Sequence, residues 1–297
     1  MRGEITKIIG EAAGSFGVAI KHVESGQEVI INGEKQFEMA SVFKLPVLVA
    51  LLTNAAPRAV SLDTRMEIRQ NDRVPGSGII KELDEGLAMT IRDLATLMII
   101  VSDNTAADMV LHMIGKENVN RKMKELGLEN IVVRQSCWEL LTGYVGVEPA
   151  PYTPEKYEKV HQLLKVDEDV NRKMENTRQG NRATVTDTNA LLEKIVTRRI
   201  EVTASKQIID ILSRQQYRQR LPSLLPPATK TANKTGTIGT VVNDAGILFL
   251  PDHKGTLIIT VFSEGNRTLA AGENVIAKIA KTAFDHYTGI TGGQEYQ

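Results

Sequence analysis

The stretch SVFKLPVLVALL, residues 41–52, constrains this chain more than any other. Its apolar run 45–52 is the longest in the sequence, is interrupted by Pro46, and is too short to span a membrane. Ser41 stands where the pattern turns helical, which predicts a helix with Ser41 in its first turn and Pro46 about one turn in, where a missing N–H costs little. Residues three apart stack on one helix face, so the Lys44 amine is expected beside the Ser41 hydroxyl. A lysine pushed towards its neutral form can take a serine proton, and a helix N-terminus offers a backbone N–H to a developing oxyanion. A lone Ser-x-x-Lys is equally a capping serine before a surface lysine.

Ile5, Ile8, Ile9 and Ala12 recur at helical spacing, and Gly14 ends that helix. SFGVAIKHV and QEVIING, separated by Glu24-Ser25-Gly26, read as a hairpin. After the Ser41 helix, Thr90-Ile91-Arg92-Asp93 reads as a capping box for a helix with Leu94, Leu97, Met98 and Val101 on its apolar face. Further helices are expected towards Gly115, over 116–126, after Thr184-x-x-Asp187, and over 204–216. The C-terminal part reads as strands at 231–238, 242–250 and 256–263 and a helix at about 268–286. The expected fold is α/β with two domains: an antiparallel five-stranded sheet with flanking helices, from 1–40 and 198–297, and an inserted all-helical domain at 41–197.

Lys and Arg number 36, as do Asp and Glu, which argues against a nucleic-acid or polybasic membrane surface. The only cysteine, Cys137, allows no internal disulfide or cysteine metal cluster and reads as a buried apolar residue. The five histidines are scattered; His22-Val23-Glu24 has no downstream cysteine pair, and Gly76-Ser77-Gly78 is too short for a phosphate loop. No cofactor, metal, nucleic-acid or membrane partner is expected, and a monomer is. MRGEITKIIGEAAG lacks the apolar core of a signal peptide, so the chain as given is expected in the cytoplasm, or outside it (secreted or periplasmic) if a leader has been trimmed.

Three motifs occur in order: Ser41-x-x-Lys44, Ser102-Asp103-Asn104 between two helices, and Lys234-Thr235-Gly236 on a strand. This triplet resembles that of class A β-lactamases and penicillin-binding proteins. VPGSGII, MTIRDLATLMIIVSDNTAADMVL and NKTGTIGTVVNDAGILFLPD are also similar to class A segments, over most of the chain and least between about 132 and 180. The chain is identified as a member of the class A β-lactamase-like serine hydrolases, which implies a β-lactamase-like fold with its site at the domain junction.

The resemblance implies roles residue by residue. Ser41 would attack the carbonyl, Lys44 would help deprotonate it, and Ser102, helped by Lys234, would pass a proton to the departing nitrogen. Asn104 would bond the substrate's side-chain amide. The N–H groups of Ser41 and Thr237 would form the oxyanion hole, and Lys234, Thr235 and Thr237 would hold the substrate carboxylate, with Gly236 allowing close approach. Arg220 is either a further guanidinium for that carboxylate or a surface arginine.

The implied activity is β-lactam hydrolysis on a small-molecule substrate. The alternatives are a penicillin-binding carboxypeptidase or small-ester hydrolase that deacylates slowly, and a non-catalytic receptor for β-lactams or peptidoglycan fragments. Class A enzymes carry a glutamate that activates the deacylating water. Glu139, after Trp138, is the candidate here, although the asparagine expected four residues later is Gly143; Glu148 and Glu175 are further candidates. The other reading of Glu139 is a surface carboxylate beside a packed tryptophan. The surrounding region, about 132–182, is enlarged and predicts its own helix, capped by Thr153, starting at Pro154, with Tyr157, Val160 and Leu164 inward.

Overall fold

The computed structural model describes residues 1–54, 60–166 and 180–289. In chain order the elements are α1 (Arg2–Gly10), β1 (Ser15–His22), β2 (Glu28–Ile31), β3 (Phe37–Glu38), α2 (Lys44–Leu52), β4 (Arg65–Glu67), β5 (Ala88–Thr90), α3 (Ile91–Ile100), α4 (Asn104–Ile114) and α5 (Lys116–Glu125). Then follow α6 (Cys137–Tyr144), α7 (Pro154–Val166), β6 (Arg182–Ala183), α8 (Val185–Val196), α9 (Val202–Ser213), β7 (Lys230–Ile238), β8 (Val241–Phe249), β9 (Thr256–Glu264) and α10 (Leu269–Thr288). They form two compact units, Met1–Val42 with Leu128–Ile131 and Arg182–Gln297, and Phe43–Gly127 with Val132–Asn181.

The first unit is built on a five-stranded antiparallel sheet in the order β2-β1-β9-β8-β7, the α/β sheet with flanking helices that the strand runs predict. Alternate residues of β1 go to opposite faces. Phe16, Val18 and Ile20 join Ile259 and Val261 of β9, Ile5 of α1, and Ile276, Ile279 and Phe284 of α10 in one apolar core. On the other face, a Cβ on Gly17 would lie 2.6 Å from the Phe37 ring and 3.2 Å from Val185 of α8, and Lys21 pairs with Glu193 of α8 at 2.8 Å. With both faces covered, β8 is buried along nearly all its length. The domain boundary expected near 197 falls at 181, because α8 packs against β1 and β9 and so belongs with the sheet.

The second unit is mostly helical. All nine residues of α2 are buried, as expected of a helix apolar on every side. Each buried Leu or Val there contributes roughly 1.5–3 kcal/mol. Ser41 differs from expectation: it lies in a 3₁₀ turn, Ala40–Phe43, and the α-helix begins at Lys44. Thr90 caps α3 by accepting from Asp93 N, but Asp93 takes the Thr90 hydroxyl, at 2.6 Å, rather than the backbone N–H that a full capping box would use. The helical region also carries a short ladder, β4 against β5. Helix α7 forms where expected, with Val160 buried and Tyr157 and Leu164 half-buried. Among the described residues no helix is long and apolar enough to cross a membrane.

Candidate active site

In the sheet unit the Ser41 turn is held from behind by β8. Asn243 donates its amide N–H to the carbonyls of Glu38, at 2.8 Å, and Met39, at 3.2 Å, while its Oδ1 accepts from Ser263 N. Ala40 takes a positive φ of 44°, a costly conformation for alanine that these fastenings maintain. Strand β7 then comes in very close. A Cβ on Gly236 would lie 2.6 Å from Met39 O and 3.1 Å from Ser41 N, so only glycine allows this approach. Lys234 is fully buried and donates from Nζ to Thr235 O at 2.7 Å. Thr235 is buried, and the next residue but one, Thr237, is exposed.

Arg220 is buried, which overturns its reading as a surface arginine. It donates from one terminal nitrogen to Gly236 O, at 2.9 Å, and Asn243 O, at 2.6 Å, and from the other to the Thr237 hydroxyl. Its Nε pairs with Glu273 at 3.3 Å. Burial lowers the guanidinium's pKa, opposed by the charges of Asp244 and Glu273. Asp244, whose pKa burial raises, accepts from the Asn233 amide and from Leu221 N, which anchors the segment carrying Arg220. Asn243, Asp244 and Glu273 escape sequence reasoning, because each acts on residues far away in the chain.

In the helical unit, the Lys44 side chain is fully buried and donates to Ser102 O at 2.6 Å, Asn104 Oδ1 at 2.7 Å and Ser102 Oγ at 3.2 Å. Ser102 takes a φ of 54°. Asp103 caps α4 by accepting from Ala106 N at 3.0 Å, and its second oxygen accepts from Ile79 N and Ile80 N at 2.7 and 2.9 Å. Ser77 Oγ donates to Ser102 O at 2.7 Å, and Asn104 Nδ2 donates to Pro75 O at 2.8 Å. Gly76-Ser77-Gly78 is therefore the wall of the Ser102 turn. A Cβ on Gly78 would collide with the Asp103 carboxyl at 2.3 Å.

Glu139 is placed differently. It is the third residue of α6 and completes a capping box: Ser136 Oγ accepts from Glu139 N, and Glu139 Oε2 accepts from Ser136 N at 2.7 Å. The same carboxylate pairs with Lys116 at 2.9 Å, and the side chain is 38% exposed. Behind it lies a residue the sequence reading does not single out. Asp108, buried on α4, accepts from Cys137 N at 2.6 Å and Trp138 N at 2.8 Å, and burial raises its pKa. Burial likewise pushes the Cys137 thiol well above its ordinary range, while the Lys44 charge opposes this. Trp138 is buried and packs on Tyr152, with ring centroids 4.9 Å apart. Glu148 and Gly143 are exposed, and Glu175 lies outside the described residues.

Residues 1–287 match the model of a family described as the β-lactamase enzyme family. The chain is 25% identical to β-lactamase VEB-1 of Pseudomonas aeruginosa, over 96% of this chain and 89% of that protein. Its structure is similar to that of a β-lactamase from Sphaerobacter thermophilus, with a TM-score of 0.79, 25% identity, and 99% of each chain covered. It also shares the fold of PBP-A, with a TM-score of 0.78 at 22% identity over 97% of this chain and 96% of the other.

Proposed function

The chain belongs to the β-lactamase enzyme family, a family of hydrolases, and from that premise we propose that Ser41 opens the ring of β-lactams and carries the acyl group. The Ser41 Oγ attacks the carbonyl carbon as its proton passes to Lys44 in its neutral form, whose nitrogen keeps two N–H donors and one lone pair. The C–N bond breaks as Ser102 passes a proton to the nitrogen. The backbone N–H groups of Ser41 and Thr237 stabilise the oxyanion, and Lys234, Thr235 and Thr237 hold the substrate carboxylate. Arg220, which holds the Thr237 hydroxyl, serves the carboxylate site through it, and Asn104 bonds the substrate's side-chain amide.

The observation that carries this reading is the buried Lys44 amine bonded to both Ser102 and Asn104. A surface lysine would leave its nitrogen in water. The close backbone approach of Gly236 to Ser41 N supports the oxyanion role. We read the protein as a monomer acting on small molecules.

The pairing of Glu139 with Ser136 N and Lys116 favours the second reading of the same chemistry, a penicillin-binding hydrolase that deacylates slowly. A solved structure of PBP-A bearing an L158E substitution is described as an acyl-enzyme complex with penicillin G, so an acylated state can be captured on this fold. A time course with a chromogenic cephalosporin, together with intact-protein mass spectrometry, tests both steps. The expected result is one stoichiometric adduct on Ser41, absent in Ser41→Ala, followed by slow turnover. Labelling that persists in Ser41→Ala would refute the acyl-enzyme. Fast turnover that Glu139→Ala abolishes, with adduct accumulating, would return the base role to Glu139.

A further inference from the structure

The sheet unit holds a cavity of about 860 Å³ that none of the residues discussed above lines. It lies between the C-terminal half of α9, the segment 218–229, and the paired ends of β7 and β8, where Lys230 faces Phe249 in the register. Its size is that of a small-molecule site. Ile209, Leu225 and Phe249 supply apolar surface. Thr231 also lines it: the residue is 4% exposed, and its hydroxyl is buried with no hydrogen-bond partner. A buried hydroxyl left unbonded is costly, and such groups are rare in folded proteins.

The charge is one-sided. Arg218 and Lys230 are both exposed on the rim, neither is ion-paired among the described residues, and no lining residue is acidic. An apolar interior and two cations at the rim complement a molecule with an apolar body and one anionic head. We propose that this cavity binds a small free amphiphilic carboxylate, its chain against Leu225, Ile209 and Phe249 and its head at Arg218 and Lys230. The segment that forms one wall also carries Arg220, and Thr231 lies three residues before Lys234 on β7. Occupancy would therefore be felt in substrate affinity. The inference does not depend on the acyl-transfer chemistry.

The test uses the full chain and the fluorescent anion 8-anilinonaphthalene-1-sulfonate. Saturable binding is expected, displaced by octanoate but not by neutral octanamide, and retained in Ser41→Ala. In Arg218→Glu/Lys230→Glu, two exposed changes that leave the fold intact, affinity for the dye and for octanoate should fall at least tenfold. The proposal is overturned if the double variant binds as well as the parent, if octanamide competes as well as octanoate, or if acylating Ser41 with a penicillin abolishes dye binding. That last outcome would place the dye in the active site.

Discussion

Two helix N-termini in the helical unit, those of α4 and α6, each have a serine at or just before the cap and come to different ends. At α4 the capping is done by Asp103, whose two oxygens serve Ala106 N, Ile79 N and Ile80 N. The residues on either side are thereby released, and Ser102 and Asn104 both accept from Lys44. At α6 the residue expected to do chemistry is itself the cap. Glu139 serves Ser136 N, Ser136 serves Glu139 N, and Asp108 takes Cys137 N and Trp138 N. A polar side chain at a helix start is available for catalysis only when another group satisfies the orphan N–H groups there.

Substitutions can break this comparison at each position. The largest effect is expected from Asp103→Ala, which removes a cap and leaves two further N–H groups without an acceptor. Urea unfolding should show a loss of about 3–5 kcal/mol, and acylation by penicillin should slow as the Ser102 turn loosens. A loss under 1 kcal/mol would show that the cap at α4 is dispensable.

Asp108 should reveal itself through pH. Burial raises its folded pKa above the ordinary value of 3.8. The folded state therefore holds the proton more tightly than the unfolded chain. The stability this contributes is fully present below the unfolded pKa and is lost as pH rises through the folded one, by about 1.4 kcal/mol for each unit separating the two. Urea titrations from acid to neutral pH should show the parent losing stability relative to Asp108→Asn. A difference that is flat or grows with pH would contradict the assignment.

The smallest effect belongs to Glu139→Gln. A half-exposed ion pair and one half of a capping box together account for about 1 kcal/mol or less. The rate of β-lactam turnover should stay within about twofold. A fall of the 10²–10⁴-fold size typical of a lost general base would make α6 functionally equivalent to α4.

The sequence made the strands and the triplet of motifs readable because both are local. Residues that favour strands mark β7 to β9, threonines in β7 and apolar stretches in β8 and β9, and Ser41, Ser102 and Lys234 each sit in a short recognisable string. What stayed hidden depends on partners distant in sequence. Asn243 holds the carbonyl of Glu38 from 205 residues away. Arg220 is decided between surface and interior by Glu273, 53 residues on, and by strand carbonyls. Glu139 has the right neighbour in Trp138, but its fate rests on Lys116 and on Ser136 forming a helix start. The domain boundary was misplaced for the same reason, since nothing local in α8 says that it packs on the sheet.

The complete burial of α2 has a consequence in time. Amide exchange with solvent requires the local structure to open, and a helix with no exposed residue has no cheap local opening available. The amides of Lys44–Leu52 should be among the last in the helical unit to take up deuterium. The turn that bears Ser41 runs directly into that helix. The residue proposed to carry the acyl group therefore adjoins a segment that should open last, so its backbone setting should persist from one catalytic cycle to the next.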